Sequence, residues 1–435
     1  MLQASLSEPA ILHAVLALGS AHRAIAAEPY HFADSAERAD CFTLRQYNKA
    51  ITFLEPHLRA RSLSSLRVTL ITCIGFIFLD FLRGYYRSGL AHLAHALSLA
   101  EQLLNIASSS RLHGGRPVDG CYVDQWLLQS ITRLCVQAAL FGQTVPPTWL
   151  ISYATAVPYC PSSFSSIHEA REHLESLLLQ ILYFDDHDSC STEDFKPGTA
   201  KTTEHKSISK VQLGLCAWHN ALDNTLELLA DENMTIRVFA FKLLRVYHVM
   251  ATIMAARKVR KLPELGNDHQ TTQFRSIVDQ VKELFHFVLA TKFRQTYLED
   301  HNTNGDAVSD MGAIPPLYYV AMNCSVYSIR LEAIDLLKTM PHKEGMWDST
   351  LAACIASKVM EIETETHYEE MSLVADDATT QLSEPHSSKT PSIRLRKVRV
   401  VLPREPSASV MLRCTFGYDY CHSGVAVTEY ELPAT

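Results

Sequence analysis

The most metal-like spacing in the sequence is His168-Glu169-Ala170-Arg171-Glu172-His173. Two histidines on one helix share a face only when they are three or four residues apart. A separation of five turns them roughly 140° apart on a helix of about 3.6 residues per turn. The segment therefore reads as an exposed charged face opposite a stripe containing Leu174 and Leu177. His92 and His95 have usable spacing, at i and i+3. They lie off the Leu90, Leu93, Leu97 stripe, and no neighbouring cysteine or carboxylate completes a ligand set, so a solvent-facing pair is expected. Asp185, Asp186, His187 and Asp188 offer oxygens to a hard cation, but the run lacks the loop glycine and bidentate glutamate of an EF-hand. It reads as a solvated loop.

Other chemistry has less to stand on. The sequence contains no G-x-G-x-x-G, no Walker-type G-x-x-x-x-G-K and no G-x-S-x-G nucleophile elbow. The 11 cysteines are scattered, and no two form a C-x-x-C. A disulfide framework or zinc site would show clustered pairs, so reduced thiols packed as small apolar groups are expected. No catalytic, cofactor-binding or metal-ligating residue is assigned, and no cofactor is expected.

Two basic clusters remain. Arg257, Lys258, Arg260 and Lys261 end a helix, where positive charge also meets the helix dipole favourably. Arg394, Arg396, Lys397 and Arg399 lie on a strand-like segment, with Arg404 just beyond, where charge blunts an exposed edge. Nuclear import or phosphate contact is the functional alternative for each. The net charge of −8 opposes phosphate attraction by the chain as a whole.

The elements that must position these groups are mostly helices. Apolar residues step by three and four in Leu44, Tyr47, Ile51, Leu54 and Leu58, in Leu127, Ile131, Leu134, Ala138 and Phe141, and in Ile236, Phe239, Leu243, Val246 and Met250. Each set makes one apolar stripe that needs a neighbour. Many stripes with short links, a hydrophobic share of 47% and only 16 glycines predict an all-α array of packed antiparallel helix hairpins. The run Val68 to Leu79 is too short for the roughly 20 residues of a bilayer span and reads as a helix buried on all sides. The helical body is expected over residues 1–370. Loops interrupt it at 107–120 and at a polar, disordered segment, 185–206. A flexible linker follows at 371–392, then a small strand-like appendage at 393–435. Its strands are Ile393 to Leu402, Val410 to Phe416 and Val425 to Leu432.

Several segments resemble the regulatory region of the fungal-specific transcription factors, which in many fungal regulators follows a six-cysteine binuclear zinc cluster. They are Glu8 to His22, Leu44 to Ile51, Cys73 to Gly84 followed by the His92 to Leu99 helix, Ile329 to Leu337, Glu344-Gly345-Met346-Trp347-Asp348, Ile362-Glu363 and the basic Ile393 to Leu402 strand. Their order and spacing carry the resemblance more than any one block. Each has a packing explanation: Gly19 and Gly84 would permit close helix approach or a helix end, and Trp347 would fill a core gap. The first block begins almost at Met1, and the paired cysteines of a zinc cluster are absent from this sequence. It is therefore expected to lack the part that reads DNA, either as a truncated gene product or as a regulator acting through other proteins.

The resemblance implies a nuclear transcription regulator of a fungus, and a role in control of a secondary-metabolite gene cluster, since such regulators often accompany one. It implies partnership with itself or other regulators, with no sequence-specific DNA binding by this chain alone and no membrane association. Residence in the cytoplasm is the alternative. The competing functions are a cryptic biosynthetic enzyme, which would need a closed pocket with convergent titratable groups, and a small-molecule-sensing module, which would need a pocket between helices. An effector pocket is compatible with the regulatory reading.

Overall fold

Ser62 opens the helix around which the N-terminal part is packed. Its hydroxyl accepts the Ser65 N–H at 3.1 Å, an N-cap. Sixteen of the twenty residues of Leu63–Leu82 are buried. Thr69 and Thr72 within it donate to the carbonyls four residues back, at 2.8 and 2.9 Å, so their burial leaves no hydroxyl stranded. This is the helix expected around Val68 to Leu79. It passes for a membrane span in length and apolarity, as does Arg237–Lys258, but 89% of its apolar window is buried within the fold.

The computed structural model describes residues 1–26, 33–60, 62–112, 125–144, 146–155, 159–187, 200–229, 236–259, 267–290, 306–308, 311–339, 341–377, 393–418 and 425–432. Fourteen helices lie among them. The first six are α1 (Leu2–Ser5), α2 (Pro9–Ala26), α3 (Ala33–Ala60), α4 (Leu63–Leu82), α5 (Tyr86–Leu112) and α6 (Gln125–Leu140). Next come α7 (Thr148–Thr155), α8 (Ile167–His187), α9 (Ala200–Leu228), α10 (Ile236–Val259) and α11 (Asn267–Ala290). The last three are α12 (Ile314–Asn323), α13 (Tyr327–Thr339) and α14 (Ser349–Asp377). Helix α2 packs on α3 and α4, α4 on α5, and α6 bridges to α8. Helix α10 lies against α8, α9 and α11, and α12 joins α13 and α14 to this group. The all-α array of the sequence reading is what the chain forms, and one apolar core runs from Ala10 to Leu432.

Helix ends follow local chemistry. Gly84 and Gly142 adopt φ of 80° and 71° just past α4 and α6. There Tyr85 N donates to Asp80 O and Gln143 N to Ala138 O, both at 2.8 Å, closing the last turns as only a left-handed residue allows. Gly19 differs from expectation: a Cβ there would meet nothing within 4 Å, so it permits no close helix approach.

Three boundaries also differ. Helix α5 continues to Leu112, through the first part of the expected loop at 107–120. Helices α8 and α9 take up 185–187 and 200–206 of the segment read as disordered, and α14 continues through 371–377 of the expected linker. Extending a helix already nucleated costs far less than starting one, which outweighs the modest propensities of the Ser, Thr and Asp residues in these stretches. Residues 113–124, 188–199 and 378–392 lie outside the described residues.

Two three-stranded sheets accompany the helices. In the C-terminal one, β4 (Ile393–Val401), β5 (Val410–Tyr418) and β6 (Val425–Leu432) form an antiparallel meander, as the β-branched runs predict. Val400, Leu412, Cys414 and Phe416 are buried on it, and β4 packs on α14. The other sheet is not foreseen: β1 (Asp306–Val308), β2 (His342–Glu344) and β3 (Trp347–Asp348). Its turn seats Trp347, 2% exposed, with its ring 4.6 Å from Phe141 and 5.4 Å from Tyr318. The indole fills the core gap expected of it.

Candidate functional site

Helix α10 is buried along most of its surface, but one strip of it is the floor of a cleft. Lys242, Arg245, Val249, Thr252 and Ala256 step by three and four along that strip. One wall is α9, through Gln212, Leu215, Cys216 and His219, and the other is α11, through Gln273, Ser276, Gln280 and Glu283. The volume is about 860 Å³, within the roughly 300–1,000 Å³ usual for small-molecule sites.

A histidine pair stiffens the α9 side. His248 is 8% exposed, and its Nε2 lies 2.9 Å from the Leu215 carbonyl. A carbonyl can only accept, so that nitrogen carries the proton. Burial lowers the His248 pKa to about 4, leaving a neutral imidazole at neutral pH. The ring stacks between Trp218, at 5.1 Å, and His219, at 5.2 Å. Trp218 is anchored in turn by its indole N–H, which donates to Ala170 O at 2.8 Å. His219 Nε2 sits 3.4 Å from Asp223 Oδ2, and Arg245 approaches the other oxygen of that carboxylate at 3.8 Å. Asp223 thus engages Arg245 and leaves Lys242 as the cleft cation without an ion pair among the described residues. Cys216 makes no hydrogen bond to His219 among the described residues. The arrangement is suited to binding.

A second polar cluster lies inside the N-terminal helices. The His92 Nε2 is 3.7 Å from Asp80 Oδ2 and 3.5 Å from the Tyr47 hydroxyl, with its ring 5.7 Å from Phe76. Cys73 donates to the His92 carbonyl at 3.3 Å. Burial raises the Asp80 carboxyl above the ordinary carboxylate range and lowers the His92 imidazole. His92 is therefore half-buried and turned inward, where a solvent-facing pair was expected; His95 is exposed. Ring packing against Phe76 and the Asp80 carboxylate draw His92 in, and neither is visible in the spacing on α5 alone.

His168 is exposed and His173 half-buried near Phe164, at 6.1 Å, so the two do not converge. Glu169 between them closes the start of α8: it accepts from Ser165 N at 2.7 Å, while Ser166 Oγ accepts from Glu169 N at 3.2 Å. Among the described residues no group of three or more His, Cys, Asp or Glu side chains could hold a metal.

The basic clusters separate. Arg257 donates to Asn323 O and Oδ1 at 3.2 and 3.0 Å, closing the C-terminal end of α12. Lys258 is half-buried, and burial lowers its pKa to about 8. Arg260 and Lys261 lie outside the described residues. Arg394, Arg396, Lys397 and Arg399 fall on β4, where Lys397 and Arg399 are exposed; the side chains of Arg394 and Arg396 lie outside the described residues.

Residues 1–143 match the family described as the fungal specific transcription factor domain. The match covers α1 to α6 and includes the first three blocks that carry the resemblance. The match supports a role in transcription regulation. No protein of curated function and no solved structure matches the chain.

The cleft residues have little signal in the sequence. His219 and Asp223, at i and i+4, are a readable pair, but their meeting with Arg245 and His248 depends on α9 packing against α10.

Proposed function

We propose that this chain is a nuclear transcription regulator that acts through its helical body, associating with itself or a related regulator, and does not read DNA sequence on its own. The observation that carries the reading is the match of residues 1–143 to the fungal specific transcription factor domain. Two features support it. The matched helices are built into one core with the rest of the chain, as a regulatory body requires. An apolar stripe of Leu44, Ile51 and Leu58 on α3 is left exposed, a surface suited to a partner helix. Control of a secondary-metabolite gene cluster is the finer form of the proposal. Lys397 and Arg399, exposed on β4, would be open to an import receptor.

The test joins the full chain to a heterologous DNA-binding module and measures a reporter beneath that module's sites in a fungal host. The expected result is a change in reporter output, up or down, that the module alone does not give. An output equal to the module alone, with the fusion folded and bound at its sites, would count against a regulatory body.

A further inference from the structure

The lining of the cleft between α9, α10 and α11 defines a ligand by its charges. Lys242 is half-buried on the floor and has no ion pair among the described residues. The neighbouring guanidinium of Arg245 is already engaged by Asp223. His248 donates its one N–H to Leu215 and brings no positive charge. Glu283 on the opposite wall is also without an ion pair among the described residues, and would repel a second negative charge. The floor from Lys242 to Ala256 runs about 21 Å at about 1.5 Å per residue. Past its charged end the floor carries Val249 and Ala256 with Thr252 between them, and the amides of Gln273 and Gln280 on the α11 wall.

We infer that this cleft binds an elongated small organic acid, its single carboxylate paired with Lys242 and its apolar body lying along Val249 and Ala256. One available ammonium facing a carboxylate wall suits a monoanion better than a phosphate ester, which carries nearly two charges near neutral pH. A partly desolvated ammonium also gains more from a carboxylate than an exposed one does. The inference stands on the cleft alone and not on the regulatory reading: its test measures binding, so a silent reporter and an empty cleft are separate failures.

The probe is octanoate, compared with octyl phosphate, octylamine and octanol, which share its apolar chain. Binding to the full chain is followed by titration calorimetry. Occupancy of the cleft is read by alkylation of Cys216, exposed on its wall, against Cys41, exposed on α3. Octanoate is expected to bind at about one site per chain and to slow alkylation of Cys216 but not of Cys41. Lys242→Gln should weaken binding by about tenfold to a hundredfold, the scale of a charge-assisted contact, and Lys242→Arg should retain most of it. Melting temperatures of both variants report whether the fold is kept. Absence of saturable octanoate binding, equal binding by folded Lys242→Gln, preference for octyl phosphate or octylamine, or protection of both cysteines alike would each overturn the inference.

Discussion

Glu344 and Gly312 are locked together. The Gly312 N–H donates to Glu344 Oε2 at 2.8 Å, and a Cβ on Gly312 would collide with the same carboxylate. Ala313 and Ile314 donate to it as well, at 2.8 and 3.1 Å, so one buried carboxylate takes three N–H groups at the start of α12. The N-cap residue is Ala313, whose side chain has no acceptor to offer those donors. Glu344→Ala should therefore destabilise the fold by about 3 kcal/mol, through stranded donors and a lost charge-assisted contact. Gly312→Ala should be destabilising too, by about 1–3 kcal/mol for an overpacked site. Urea unfolding monitored by circular dichroism measures both; a Glu344→Ala midpoint equal to the parent's would remove the capping role.

His248 makes stability depend on pH. Its folded pKa is about 4, against about 6.5 when unfolded. Below the unfolded value the unfolded chain takes up a proton that the folded chain does not, so stability falls as pH drops from about 6.5 towards 4. The full loss is on the order of 3 kcal/mol. His248→Gln, whose amide can still donate to the Leu215 carbonyl, should show a shallower fall in melting temperature between about pH 7 and 5. Parallel curves for the two proteins would mean that His248 is not the titrating group.

The exposed stripe of α3 is predicted to be an interface and the adjoining face to be core. Leu44, Ile51 and Leu58 are 47%, 44% and 54% exposed, while Ala50 and Leu54 on the same helix are buried. Ile51→Glu should change stability by no more than about 0.5 kcal/mol and reduce self-association in light scattering. Leu54→Ala should cost about 2–5 kcal/mol. A parent chain that is strictly monomeric at high concentration, with no partner recovered, would defeat the first half.

Selection of random DNA duplexes at near-physiological salt should enrich no motif. Specific reading needs an element seated in a groove with side chains aimed at base edges. The exposed Lys397 and Arg399 should give only weak, salt-sensitive contact, and a net charge of −8 weakens it further. Enrichment of a single motif would reveal a reader that the sequence does not announce.

The helical class and the C-terminal meander could be read from the sequence because each rests on a local period, of 3.6 or of two, that burial then uses. Which side of a stripe is buried could not. On α3 the apolar positions 44, 47, 51, 54 and 58 read as one face, yet the core takes Thr43, Gln46, Ala50 and Leu54 and leaves three of the five exposed. A broad apolar arc does not say where α2 and α4 will press on it. The short sheet β1–β3 escaped for a related reason: strands of two or three residues carry no period. In the cleft, His219 and Asp223 are neighbours on one helix, but the neutral state of His248 comes from burial by a different helix.

Gln137 and Gln143 sit at the end of the matched segment, and both reach far along the chain. Gln137 Oε1 accepts the Met346 N–H at 3.4 Å, and Gln143 Nε2 donates to Val400 O at 3.0 Å. Across the fold, Pro406 lies where a Cβ on Gly84 would touch it at 3.4 Å. The edge of the match at residue 143 is therefore a line through packed interior, not a seam. A bait fragment cut there would present the bared face of α6, and Phe141 stripped of Tyr318 and Trp347, to every protein in the extract. Its catch in an interaction screen would report the wound of the excision, whereas the intact chain would report its natural partners.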